Sequence, residues 1–300
     1  MSKISDRMLR IQFLSRRVPC FCAAALAILA ASSSSAAPLA YTENFDGMGA
    51  AGTTLPAGWS AGYLGAESSS NRLAFAPYAG NGLSLTNMPI LVSDGSAYPN
   101  PNVGRVMNLG LTGDSDRAPG GYPRTTPSGD HVFQVAVVNT TGAPLSDVTV
   151  AYAGEQWNQA QGTSTSGPEM LRVLVSSTSA TSGFTYYSSL DFTAPHQGGA
   201  AANPTALNGN LPANRQVVTA NITLPSAVPD GGTFYVRWHD WNDNGTSDHF
   251  LGIDDIRISG GVPEPSSLAL LACGLGLTLL RRQRASRESD NLTADFSSRH

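Results

Sequence analysis

From Leu39 to Ser259 the chain alternates apolar and polar residues in short runs, with Gly, Asn, Asp, Ser and Pro between the runs. Alternation with period two puts successive side chains on opposite faces of an extended strand. In Phe234–His239 the residues Phe234, Val236 and Trp238 share one face, while Arg237 and His239 take the other, which assigns Trp238 to a core. His131–Asn139 and Leu145–Tyr152 flank Thr140-Thr141-Gly142 and read as a hairpin. Further strands are expected at Leu39–Phe45, Leu83–Thr86, Gly104–Leu111, Met170–Ser176, Phe184–Phe192, Gln216–Leu224, Thr233–Asp240 and Leu251–Ser259. No helical periodicity appears in this region. About ten short strands over about 220 residues predict an all-β fold, a two-sheet antiparallel β-sandwich.

The last of these strands changes phase. Leu251 and Ile253 share one face, and Ile256 and Ile258 fall on the opposite one. All four reach one core only if an extra residue enters the strand, so a bulge is expected near Asp254-Asp255.

The two flanks read differently. Lys3, Arg7, Arg10, Arg16 and Arg17 precede an apolar run from Cys20 to Ala30, and small residues follow from Ser32 to Ala37. That order is a secretory signal peptide, 1–36, for a signal peptidase to cut after Ala36. At the other end Val262-Pro263-Glu264-Pro265 leads into an apolar segment, 266–280, and then Arg281, Arg282 and Arg284. The prolines keep the neck extended. The apolar segment forms a short transmembrane helix, and the arginines hold its far end in the cytoplasm. The polar tail 285–300 is expected to be disordered. The domain to be folded is therefore 37–260, with the tail signal at 261–284.

This C-terminal arrangement resembles the PEP-CTERM sorting signal of exported proteins in Gram-negative bacteria that make extracellular polysaccharide. The resemblance implies recognition by exosortase, cleavage near Pro263-Glu264-Pro265, an inner-membrane intermediate, and delivery to the cell surface or extracellular matrix. Members of that family usually end soon after the arginines, whereas this chain continues to His300. Within the domain, Glu43-Asn44-Phe45-Asp46-Gly47 with Leu55-Pro56-Ala57-Gly58-Trp59 at the start, and Leu251–Ile256 at the end, are similar to jelly-roll domains of the adhesin and MAM type. That resemblance implies a jelly-roll-like sandwich and nominates Glu43 and Asp254 for a shared structural cation.

Composition narrows the partners. Between Pro38 and Gly260 there are eight Arg and no Lys against seventeen Asp plus Glu, a formal charge of −9. Nucleic acid needs clustered basic residues to neutralise phosphate, and none occurs here, so no nucleic-acid partner is expected. Cys20, Cys22 and Cys273 all lie in the flanks, which leaves the domain without a disulfide. No nucleophile elbow, zinc-helix motif or phosphate loop is present. Four scattered histidines of the domain form no motif, and Glu155 has no identifiable carboxylate partner, so catalysis is not expected.

Two groups of residues remain for binding. Asp240, Asn242 and Asn244 alternate ahead of Gly245, with Asp248 beyond. Such spacing wraps oxygens around a calcium ion. Leu251 occupies the place of the usual closing acid, and Asp254 is the nearest substitute. An Asx-rich turn without metal explains the same residues. Trp157 and Trp241 lie in polar surroundings and could stack on sugar rings, with Glu155 beside them as hydrogen-bonding group. The expectation is an exported, non-catalytic surface or matrix protein that binds polysaccharide or another surface protein. A secreted polysaccharide hydrolase and a purely structural coat component are the alternatives.

Overall fold

A computed structural model describes residues 37–64, 90–99, 104–123, 130–160, 168–198, 205–241 and 248–261, together with Arg281. The chain divides into two units, Met1–Ser35 and Ala36–His300, and every described residue belongs to the second. The signal peptide, the expected strand Leu83–Thr86, Asn242, Asn244, the Pro-Glu-Pro neck, the segment 266–280, Arg282, Arg284 and the tail lie outside the described residues. No helix among the described residues is long and apolar enough to cross a membrane.

The domain is an all-β, jelly-roll-like sandwich. One sheet has eight strands: β1 (Leu39–Glu43), β3 (Leu91–Ser93), β4 (Arg105–Leu109), β5 (Ala118–Tyr122), β7 (Leu145–Gln159), β11 (Thr205–Ala206), β12 (Arg215–Val228) and β14 (Phe250–Gly260). Its order is β11-β7-β14-β5-β4-β3, with β1 added to β14 and β12 added to β7. The other has six: β2 (Trp59–Leu64), β6 (Asp130–Val138), β8 (Met170–Ser176), β9 (Thr185–Tyr186), β10 (Phe192–Thr193) and β13 (Thr233–Asp240), ordered β10-β8-β13-β6-β2 with β9 on β8. The pairings are antiparallel except β3 with β4.

The core fills the space between the sheets. Phe133, Val135, Phe234, Val236 and Trp238 from one sheet meet Val148, Val150, Tyr152, Ile253, Ile256 and Ile258 from the other. Trp238 is fully buried, stacked on Trp59 at 5.5 Å and met edge-on by Tyr152 at 5.5 Å. Burial of each such side chain contributes about 1.5–3 kcal/mol.

The hairpin expected at Thr140-Thr141-Gly142 does not form. β6 pairs with β2 and β13, whereas β7 pairs with β14 and β12, so the turn carries the chain from one sheet to the other. Asn139 holds this crossing by donating from its amide to the carbonyls of Ala143 (2.8 Å) and Val228 (2.9 Å). Alternation marks an apolar face and is silent about whether the next strand lies beside that face or across the core from it. The expected strand Phe184–Phe192 is interrupted by a 3₁₀ turn at Ser188–Leu190.

Candidate functional site

The phase shift in the last strand is a bulge, and it builds the densest group of charges in the domain. On one edge of β14, Leu251 and Gly252 pair with β5, and Ile256 to Gly260 pair with β1. Asp254 and Asp255 sit at the fork between them. Register with β7 jumps from Asp254↔Ala153 to Arg257↔Ala151, one extra residue on β14. Asp255 absorbs it in the left-handed region, φ 49°. Ile253 and Ile256 then both face the core, while Asp254 points to the outer side of the sheet.

Two neighbouring strands complete the group. Glu155 stands on β7 opposite Gly252, and Arg215 opens β12 directly opposite Glu155. Arg215 Nε donates to Glu155 Oε1 at 3.0 Å, and its Nη2 donates to Asp255 Oδ2 at 2.5 Å and reaches Asp254 Oδ2 at 3.5 Å. Trp157 Nε1 donates to the second Glu155 oxygen at 2.9 Å. Glu155 and Asp254 are both buried. Burial, and then the charge on Glu155, push the Asp254 carboxyl up to about 8. Burial also raises Glu155, against the opposing hydrogen bonds from Trp157 and Arg215.

Chemically this is one guanidinium shared by three carboxyl groups, with burial favouring the protonated form of Asp254 at neutral pH. Both Glu155 oxygens are taken by the protein, so Glu155 is committed to holding the fork together. Sequence reasoning missed Arg215. A signal was present, since Arg215 is the only Asp, Glu, Lys or Arg between Asp191 and Asp230.

The aromatic platform expected at Trp157 is not there. Trp157 is 0% exposed and packs in a second apolar cluster with Met107, Leu109, Ala118, Tyr122 and Phe250. A Cβ at Gly209 would lie 2.2 Å from its Nε1, and one at Gly95 would lie 2.0 Å from its carbonyl oxygen, so the covering loops close on it only because both residues are glycine. Trp241 is 8% exposed. Arg172 lies 3.6 Å over its ring, and its indole N–H donates to His239 Nδ1 at 2.8 Å. With Trp157 enclosed and the Trp241 ring covered by Arg172, neither offers a broad stacking face to a sugar. Their polar sequence neighbours point to other protein groups instead of to solvent.

The residues nominated for calcium fall in two places. Glu43 accepts the backbone N–H of Phe45 at 2.8 Å, while Asp254 turns to Arg215, so no hydrogen bond or ion pair joins the two acids to a common point. Arg215 already supplies a cation at Asp254. Asp240 and Asp248 are both buried, at the two ends of the expected loop. Among the described residues no group of three or more His, Cys, Asp or Glu is arranged to hold a metal ion.

No family model and no curated protein matches the chain. Solved structures similar to this chain include an adhesin domain of Lys-gingipain from Porphyromonas gingivalis, at 15% identity over 75% of this chain and 100% of that one, with TM-score 0.36. A xylan-binding domain from Paenibacillus barcinonensis is 10% identical over 52% of this chain and 81% of its own, with TM-score 0.26. A Stig cyclase from Fischerella is 12% identical over 75% and 100%, with TM-score 0.37. Likeness at this level carries no argument about function.

Proposed function

We propose that this chain is an exported, non-catalytic surface or matrix protein of a Gram-negative bacterium, sorted by exosortase, whose sandwich binds polysaccharide. The observation that supports the reading most is the pairing of the first and last strands. Leu39 sits opposite Gly260, so the two ends of the domain lie side by side on one sheet. Cleavage after Ala36 and at Pro263-Glu264-Pro265 would then remove both targeting segments without taking a residue from either sheet.

The test is the C-terminus of the mature protein. In cells that express exosortase, mass spectrometry is expected to find a chain ending near Pro265, and Pro263→Ala with Pro265→Ala should leave it uncut in the membrane fraction. A surface-exposed chain that still ends at His300 defeats the proposal.

Calcium belongs to the same proposal, at the loop bracketed by Asp240 and Asp248, with Asn242 and Asn244 as the remaining ligands. There it would screen two buried carboxylates against each other. Chelation is expected to lower Tm by several degrees, and added calcium to restore it. An unchanged Tm removes the metal.

A further inference from the structure

Among the described residues, β12 is the longest free edge of the domain. Its fourteen residues, Arg215–Val228, pair with β7 along one side only. The other strands at sheet ends are short: β3, β9, β10 and β11 run two or three residues, and β1 and β2 five and six. A short edge gives a foreign strand little to pair with, whereas a long one is normally closed by charge or proline. No charged residue follows Arg215 on β12.

The pairing with β7 decides which backbone groups face outward. The N–H of Gln156 on β7 donates to the carbonyl of Asn214 at 2.9 Å, and from there the register runs unbroken to Thr223↔Asp147. In an antiparallel pair, alternate residues turn both N–H and C=O to the partner strand. Gln216, Val218, Ala220 and Ile222 therefore bond β7, while Arg215, Val217, Thr219, Asn221 and Thr223 turn theirs away. Thr223 verifies the phase, since its carbonyl accepts the Tyr187 hydroxyl.

The protein itself closes the far half of this edge. Tyr187 occupies Thr223, the Ser226 N–H donates to Ser177 Oγ at 3.2 Å, and Pro225 has no N–H to offer. The near half is open. Among the described residues nothing answers the outward N–H and C=O of Val217, Thr219 and Asn221, and all three residues are exposed. Apolar surface gathers at the same place. Val217, at 65%, and Leu211, at 51% and just ahead of the strand, are the two most exposed large apolar side chains among the described residues. Unpaired backbone groups beside exposed apolar side chains are a template for strand addition.

We propose that the open half of β12 pairs antiparallel with the same half of a second copy of this chain, about a two-fold axis at Val217. Charge and geometry select both the occupant and the register. The domain carries −9, and β12 beyond Arg215 is an uncharged strip along which two acidic copies can meet. An axis at Val217 sets the most exposed apolar side chain against itself, with paired Cα atoms about 5.5 Å apart. It also brings Arg215 of each copy opposite Thr219 of the other, so no like charges face. Thr223 then lies opposite Leu211, before the other copy's strand begins, and Tyr187 obstructs nothing. An axis at Thr219 would instead drive Arg215 of one copy onto the carbonyl that Tyr187 holds in the other. This inference goes beyond the polysaccharide reading and does not depend on it.

A pairing this short buries less than the roughly 1,200 Å² of a standard interface and makes a weak dimer, so association is read at about 100 µM. Sedimentation equilibrium of the full-length chain in density-matched detergent is expected to show monomer and dimer in exchange. Val217→Lys sets two like charges against each other, and Thr219→Pro deletes an outward N–H and no bond to β7. Each should weaken dimerisation at least tenfold with Tm unchanged. Val217 is exposed, so Val217→Lys keeps the test open even where Thr219→Pro fails to fold. A cross-link fixes the register. In a chain carrying Cys20→Ser, Cys22→Ser and Cys273→Ser, Val217→Cys should form a disulfide between copies on mild oxidation, since about 5.5 Å between Cα atoms suits that bond. Thr223→Cys, on the same edge, should not. A wild type that stays monomeric at about 100 µM, or a dimer that Val217→Lys leaves intact, overturns the proposal. Cross-linking through Thr223→Cys as readily as through Val217→Cys overturns the register. A Val217→Cys disulfide formed only with a different host protein overturns the second copy as occupant.

Discussion

Arg215 shows how one side chain can organise several strands. Its guanidinium bonds Glu155 on β7 and both Asp254 and Asp255 on β14, and its own backbone opens β12. Removing it leaves buried Glu155 with one oxygen unpaired and three acids without their shared cation. Breaking a buried pair by deleting one partner costs about 3–5 kcal/mol, and the partial exposure of Arg215 reduces this. Arg215→Met is therefore expected to lose about 2–3 kcal/mol in urea denaturation at pH 7. A loss below about 0.5 kcal/mol would mean that the network is only a surface decoration. Trp157 and Trp241 teach a related lesson. Polar neighbours in sequence marked both as candidates for exposure, yet those neighbours supply Glu155 and His239 as acceptors for the two indoles. A residue's company along the chain does not say which way the group faces.

Among the elements, β14 is the strand whose sequence was most informative. Two pairs of branched residues out of phase require an extra residue, and the bulge at Asp254-Asp255 is where that residue sits. The left-handed backbone at Asp255 leads to a specific comparison. Asp255→Gly and Asp255→Ala both lose the contact with Arg215, but only alanine pays for the positive φ. The alanine variant is expected to be about 1 kcal/mol less stable than the glycine variant. Equal stabilities would show that the strand re-registers around the substitution.

β5 lies at the other extreme. Its sequence, Ala-Pro-Gly-Gly-Tyr, carries the residues of a turn, yet it is a fully buried strand. A Cβ at Gly120 would meet Leu109 at 2.2 Å, and one at Gly121 would meet Asp240 at 2.7 Å. Gly120 makes room for neighbouring strands of its own sheet and Gly121 for the facing sheet, a requirement invisible until the strands are in place. The same holds for the turn after β6, where alternation alone could not separate a hairpin from a crossing between sheets.

Across the whole molecule, buried titratable groups give stability a maximum in pH. Burial lowers His131 and His249 to about 4. His249 is fixed as a neutral ring, since Nδ1 accepts the N–H of Ala160 and Nε2 faces the carbonyl of His196. Between pH 6.5 and 4 the unfolded chain takes up protons that these two histidines refuse, so stability falls on acidification. Asp254 works in the opposite sense. Its folded carboxyl, at about 8, holds a proton that the unfolded chain releases near 3.8, so stability falls as pH rises toward 8. Of the groups shifted furthest, two histidines oppose one acid between pH 6.5 and 4, so their sum favours the higher pH there. Urea denaturation in the presence of chelator is therefore expected to show greatest stability near pH 6–7, and Asp254→Asn should flatten the alkaline limb and steepen the acid one. A monotonic rise from pH 6 to 9 in the wild type would contradict the assignment.

Sequence by itself determined what depends on local order: an alternating pattern that permits only strands, a phase slip that demands a bulge, a cysteine-free acidic domain, and flanks in which basic, apolar and small residues run in blocks. Those follow from neighbours along the chain, because pleat, turn and partition into lipid act over a few residues at a time. Tertiary structure alone decided which strands share a sheet, that Arg215 meets acids 40 and 60 residues away, and that Trp157 is enclosed. Each of those is a pairing across the sandwich. Many alternative partners satisfy the same period-two pattern, and only simultaneous burial of every apolar face selects among them.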